Sequence, residues 1–93
     1  MNPDLVILGG GPAGLTAGMY AARARIPLVL LEKGQTGGQM AATATVDNYP
    51  GMVDPIFGAD LAQKMEMQAR KFGLEIVPAD VNLVSKTDQG FIV

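Results

Sequence analysis

The strongest constraint on the fold is a glycine-rich stretch at residues 9–14, G-G-G-P-A-G, which directly follows the apolar run at residues 5–8. Gly9, Gly11 and Gly14 fit the spacing G-x-G-x-x-G. In that motif the first glycine permits a sharp turn out of a strand, the second leaves room for a pyrophosphate, and the third lets helix and strand touch. A glycine turn before a helix can also be purely structural, so the flanking sequence has to decide between the two interpretations.

The flanking sequence favours a nucleotide-binding unit. The continuous apolar run at residues 5–8 is typical of a strand buried on both faces of a parallel sheet. Residues 15–25 are rich in small side chains and predict a helix that lies close to that sheet and ends before Pro27. Residues 28–31 predict a second buried strand. Because such crossovers are almost always right-handed, the two strands should be parallel neighbours.

An acidic residue closes the second predicted strand. Glu32 follows Gly14 by eighteen residues, where a carboxylate can accept hydrogen bonds from the hydroxyls of an adenosine ribose. The same charge would repel a 2′-phosphate, which disfavours NADPH at this position. Glu32 could instead be a solvated acid at a strand end, but its register with the glycines favours binding. The residues alone leave FAD and NAD both open as the dinucleotide.

The remainder of the chain predicts further elements of an α/β fold. A long glycine- and proline-containing stretch is expected to be an irregular, ordered loop that contacts a ligand. The predicted elements are this loop at residues 33–55, an amphipathic helix at 58–72 ended by Gly73, a strand at 74–77, and a terminal hairpin of strands 81–87 and 91–93.

The composition excludes several classes of function. The chain has 93 residues, so it forms one domain at most, and 7 basic against 9 acidic residues give a net charge of -2. That balance lacks the positive field that nucleic acids and anionic membranes require, so we expect neither partner. Cysteine and histidine are absent, which predicts no thiol chemistry and no metal site. Residues 5–8 are too short for a signal core or membrane span, so we expect a cytoplasmic protein.

Two blocks of sequence resemble a known family. The glycine stretch followed by Y-A-A-R at residues 20–23 resembles the opening of FAD-dependent pyridine-nucleotide disulfide reductases. G-G-Q at residues 37–39 and V-D-N-Y-P-G at residues 46–51 are similar to the corresponding segments of low-molecular-weight thioredoxin reductases, at the same separation. Tyr49 stands where many relatives carry Trp, and Thr45 where an acid is frequent. The resemblance extends from Asp4 to the last predicted strands.

The resemblance implies FAD as the cofactor and gives each site residue a role. The residues that would line the pyrophosphate are Gly9, Gly11, Pro12, Ala13 and Gly14. Glu32 would hold the adenosine ribose, with Lys33 beside it, and the backbone of Val81 would contact adenine. The residues that would approach the flavin are Gly38, Gln39, Thr43 and Asn48. Asn48 could instead set a turn and Gln39 could be a solvated loop residue. For Thr43 and Val81, contact and no contact are equally good interpretations. No residue is a convincing acid, base or nucleophile, so we predict no catalytic residue.

The resemblance also implies parts that residues 1–93 do not contain. Relatives carry a second glycine motif for NADPH, a redox-active Cys-x-x-Cys, and a returning segment that closes over the flavin. We therefore expect residues 1–93 to be the first segment of a Rossmann-like FAD-binding domain, incomplete and inactive alone. The whole protein would be a homodimer passing electrons from NADPH through FAD to the disulfide of a thioredoxin-like partner. The alternatives are a ferredoxin–NADP reductase built on the same frame and a stand-alone dinucleotide-binding module without turnover.

Overall fold

The computed structural model, which describes residues 2–93, has a small parallel sheet, three helices and two short antiparallel strand pairs. The elements in chain order are β1 (Leu5–Leu8), α1 (Pro12–Arg23), β2 (Leu28–Glu32), α2 (Gly38–Ala42), β3 (Thr45–Val46), β4 (Ile56–Phe57), α3 (Gly58–Lys71), β5 (Ile76–Pro78), β6 (Ser85–Thr87) and β7 (Gly90–Ile92).

The main sheet has three parallel strands in the order β1-β2-β5, with β2 in the centre. Leu5 pairs with Leu28, and Leu30 pairs with Ile76, so the carboxyl ends of the strands lie at one edge. Two antiparallel pairs, β3–β4 and β6–β7, stand apart from this sheet. The arrangement confirms the predicted α/β class, with its parallel βαβ unit and terminal hairpin.

The hydrophobic core lies between the central strand and the two long helices. It is a cluster of five buried residues: Leu15, Ala22, Leu30, Ala69 and Leu74. Leu30 on β2 is completely buried and Leu15 nearly so. The small residues of α1 allow this close packing, because the Leu74 side chain lies directly against Gly18. The core fixes α1 and α3 relative to β2, and thereby fixes the position of the start of α1 relative to the end of β2.

Several predicted boundaries were wrong. Helix α1 begins at Pro12, because proline's fixed φ suits the first helical position, and it ends before Arg25, whose φ is +59°. The stretch at residues 33–55, predicted to be irregular, contains α2 and β3. Residues 81–84 form no strand, and the hairpin begins only at Ser85. Gly73 has a φ of +103°, which confirms its predicted place after α3.

Gly18→Ala is expected to lower the free energy of unfolding by no more than about 2 kcal/mol. A methyl group at Gly18 would lie 2.7 Å from Leu74 Cδ2, which is the end of a flexible side chain. Overpacking costs roughly 1–3 kcal/mol, and the higher helix propensity of alanine returns about 1 kcal/mol. Urea denaturation measures the difference, and a loss above about 3 kcal/mol would show that Leu74 cannot shift.

Within residues 2–93, no helix has the length and apolar character needed to cross a bilayer.

Candidate nucleotide-binding site

The glycine turn connects β1 to α1 at the carboxyl edge of the sheet. Gly9 adopts a φ of +101°, a conformation that side-chain-bearing residues rarely adopt. A methyl group built on Gly14 would run into the carbonyl oxygen of Gly9, so the helix and the strand end touch through backbone atoms. Gly11 precedes the helix in extended conformation, and its carbonyl accepts the Leu15 N–H at 2.9 Å. The turn therefore directs the start of α1 toward the end of β1.

The start of α1 provides the features of an anion site. The first N–H groups of a helix have no partner within it, and Pro12 has no N–H, so Ala13 and Gly14 present theirs at the positive end of the helix dipole. A methyl group on Gly11 would lie 4.0 Å from Gly38 Cα, and one on Gly38 would lie 3.4 Å from Gly11 Cα. The two glycine backbones thus lie close together, and a side chain at either position would occupy the space between them.

The Glu32 carboxylate at the end of β2 is held by two backbone groups. Gly10 N–H donates to Oε1 and Gly34 N–H donates to Oε2, each at 2.8 Å. The hydrogen bond from Gly34, followed by that from Gly10, lowers the pKa of Glu32 below its ordinary value of 4.5. Glu32 is therefore ionised at neutral pH. Because a carboxylate accepts about four hydrogen bonds, both oxygens keep capacity for ligand hydroxyls.

A cleft of about 420 Å³ opens beside Glu32 at the carboxyl edge of the sheet. Its walls come from the ends of β1 and β2 and from the segment at residues 79–84. A hydrogen bond fixes the start of that segment, because Ala79 N–H donates to the Glu32 carbonyl at 3.1 Å. The structure brings Gly9, Glu32, Lys33 and Val81 together around this cleft. A planar ring system with a ribose at Glu32 is the kind of ligand that such a cleft can take.

The second predicted block begins beside Gly11 and leads away from it. Gly37 precedes α2 with a φ of +106°, and a methyl group there would strike Ala62 Cβ on α3. Gly38 faces Gly11, as described above. The Thr43 hydroxyl donates to the Gln39 carbonyl at 3.2 Å, and Asn48 lies exposed between β3 and β4. Across residues 2–93, no hydrogen bond links the side chains of Gln39, Thr43 or Asn48 to the glycine turn, so their ligand contacts stay predictions.

The sequence motifs did not identify three residues around Glu32. Gly10 occupies a variable position of the glycine motif, and Gly34 lies in the predicted loop, yet both donate to the carboxylate. Thr36 packs against Gly10 and donates its hydroxyl to Glu66 on α3. No local pattern could have revealed the Thr36–Glu66 pair, because the partners lie thirty residues apart.

The part of the chain from residue 2 onward contains no group of three or more acidic, histidine or cysteine side chains placed to hold a metal. Backbone N–H groups, one carboxylate and an open cleft make up the site. Groups of this kind can bind and orient a ligand.

Known proteins are similar to this chain in both sequence and fold. NADPH-dependent thioredoxin reductase 3 of Arabidopsis thaliana is 46% identical over 97% of this chain, and the thioredoxin reductase of Listeria monocytogenes is 47% identical over 87% of it. The crystal structure of Lactococcus lactis thioredoxin reductase matches 94% of the chain at 41% identity with a TM-score of 0.89. The chain spans 18%, 25% and 28% of the lengths of these three proteins. Residues 3–91 match the family described as pyridine nucleotide-disulphide oxidoreductase, and the chain belongs to that family.

Proposed function

We propose that this chain is the FAD-binding part of a thioredoxin-reductase-like flavoprotein, which passes electrons from NADPH through FAD to a disulfide. The observation that carries the proposal is the Glu32 carboxylate, fixed by the N–H groups of Gly10 and Gly34 beside the glycine turn. Its position supports recognition of an adenosine ribose, and the absence of side chains at Gly11 and Gly38, beside the start of α1, supports close approach of a pyrophosphate. The thioredoxin reductases among the relatives support the electron path.

The residues present fit FAD. Adenosine would occupy the cleft beside Glu32, Lys33 and Val81, and the pyrophosphate would lie at Gly9, Gly11 and the start of α1. The flavin half would extend along the block that begins at Gly38, toward Gln39, Thr43 and Asn48. When bound, FAD supplies the redox chemistry, and this segment supplies binding and orientation.

The charge of Glu32 also supports separate binding sites for FAD and NADPH. An ionised carboxylate at the ribose would repel the 2′-phosphate of NADPH, so the NADPH site belongs elsewhere in the protein. In this proposal residues 1–93 are the first segment of the FAD-binding domain. The whole protein is a cytoplasmic homodimer, and its partner is a thioredoxin-like disulfide protein.

The full-length protein is expected to carry one FAD per chain and to reduce a thioredoxin disulfide with NADPH. Absorption spectroscopy of the purified protein measures the flavin, and anaerobic NADPH should bleach its visible band because electrons enter the flavin. NADH in place of NADPH is the control for nucleotide preference. A protein without flavin contradicts the proposal. Reduction of ferredoxin but not of thioredoxin would instead identify a ferredoxin-type reductase.

A further inference from the structure

The segment at residues 34–37 contacts Gly10 through Thr36 and Gly37 and contacts Glu32 through Gly34. Gly34 N–H and Gly10 N–H hold the two oxygens of Glu32, and Gly37 N–H donates to the Gly10 carbonyl at 2.8 Å. A methyl group on Gly10 would lie 3.0 Å from Thr36 Cγ2, so the threonine methyl already fills the adjacent space. The position of Gly10 N–H, and with it Glu32 Oε1, therefore depends on where this segment lies.

Helix α3 fixes the segment through one side chain. The Thr36 hydroxyl donates to Glu66 Oε1, and Glu66 Oε2 accepts from Arg70 Nε at 3.0 Å. The Thr36 hydrogen bond, with a smaller contribution from Arg70, lowers the pKa of Glu66, so Glu66 is an ionised acceptor at neutral pH. A hydrogen bond to a charged group is stronger than a neutral one.

Glu66 holds a fixed position because its helix, α3, is packed into the protein. Leu61 and Ala69 on α3 are almost fully buried, and Gly37 lies directly against Ala62 of the same helix. The segment is thus attached to α3 at Thr36 and again at Gly37. No comparable side-chain hydrogen bond to a helix, within residues 2–93, holds the other side of the glycine turn.

We propose that Thr36 and Glu66 are positioning residues for the adenosine ribose. Their hydrogen bond holds the 34–37 segment against Gly10 and thereby orients the Glu32 carboxylate toward the ribose hydroxyls. This inference rests on the proposed function, in which Glu32 holds the ribose. Neither residue touches the ligand. Their effect reaches the ribose only through Gly10, Gly34 and Glu32.

Thr36→Val tests the inference because it keeps the methyl group against Gly10 and removes only the hydroxyl. The full-length protein, freed of flavin, is titrated with FAD and with an FAD analogue whose adenosine lacks the 2′-hydroxyl. Wild type is expected to prefer FAD by about tenfold, the value of one hydrogen bond to a charged group. Thr36→Val and Glu66→Ala are each expected to lower that preference to about threefold or less, and Thr36→Ser is expected to retain it.

The ratio of the affinities for FAD and for the analogue distinguishes a positioning role from a purely structural role. A purely structural role would weaken FAD and the analogue equally and leave their ratio unchanged, which overturns the inference. Glu75→Ala is the matched control, since it removes an exposed carboxylate with the same change in net charge, and the preference should persist. A wild type that binds FAD without any preference overturns both the inference and the role of Glu32. If Thr36→Val yields no folded protein, Glu66→Ala gives the same comparison.

Discussion

Gly14→Ala is expected to destabilise the protein by about 2 kcal/mol or more and to abolish FAD binding at micromolar concentrations. The added methyl group would run into the Gly9 carbonyl oxygen and lie 3.1 Å from the Gly9 carbonyl carbon. These are backbone atoms at the end of a paired strand, so they cannot move without disturbing β1 or withdrawing α1. Alanine's helix propensity returns only about 1 kcal/mol, which is less than the cost of the clash. Either displacement moves the start of α1 away from the pyrophosphate.

Gly18→Ala is the matched control, because it adds the same methyl group to the same helix one turn later. There the methyl group meets the end of the Leu74 side chain and no backbone atom. Urea denaturation and FAD titration of both variants measure the difference. If Gly14→Ala keeps wild-type stability and FAD affinity, the close approach of helix and strand is not what this glycine provides.

The first βαβ unit was predictable because its signals are local. An apolar run, a glycine turn, a helix of small residues and a second apolar run each occupy consecutive residues, and the right-handed crossover rule then gives the parallel pairing of β1 with β2. The position of Glu32 at the end of β2 was also predictable, from its spacing of eighteen residues after Gly14. The burial of Leu30 needs more than this unit, since β5 lies on the other side of β2 and Ala69 and Leu74 complete the core around it.

The elements that sequence patterns missed depend on distant contacts. Helix α2 has only five residues and no buried side chain, and Gly37 before it lies against Ala62 on α3. Strands β3 and β4 are two residues each and pair across the intervening loop. Conversely, the apolar residues at 81–84 resemble a strand, but Leu83 is 72% exposed and the segment forms a wall of the cleft. Periodicity alone cannot separate these cases.

The same limit applies to the site. The glycine motif predicts where a dinucleotide would lie, but the groups that hold Glu32 are backbone N–H donors, which every residue type except proline can supply. Thr36 and Glu66 meet only because α3 packs beside the segment that follows β2. The roles of Gln39, Thr43, Asn48 and Val81 stay predictions, because they rest on resemblance to a family and concern contacts with a ligand.

Glu32→Gln is expected to lower FAD affinity by about 10- to 100-fold at pH 7, the loss of a hydrogen bond to a charged group and of its alignment. Two backbone N–H groups, from Gly10 and Gly34, face the two carboxylate oxygens. A glutamine must place its own NH₂ group against one of them, so one donor loses its acceptor and the amide turns away from the ribose. FAD titration measures the loss. Glu75→Gln, with the same charge change at an exposed position, should bind like wild type.

The pH dependence of stability provides an independent check on Glu32. The hydrogen bonds from Gly34 and Gly10 lower its pKa in the folded protein below the ordinary value of 4.5. A lowered folded pKa means that the carboxylate's stabilisation is fully present above pH 4.5 and is lost as the pH falls through the folded value. The advantage of wild type over Glu32→Gln in free energy of unfolding should therefore be constant from pH 7 to about 5 and shrink below it. An advantage that persists unchanged well below the ordinary pKa would mean that the charge on Glu32 is not what the two N–H groups stabilise.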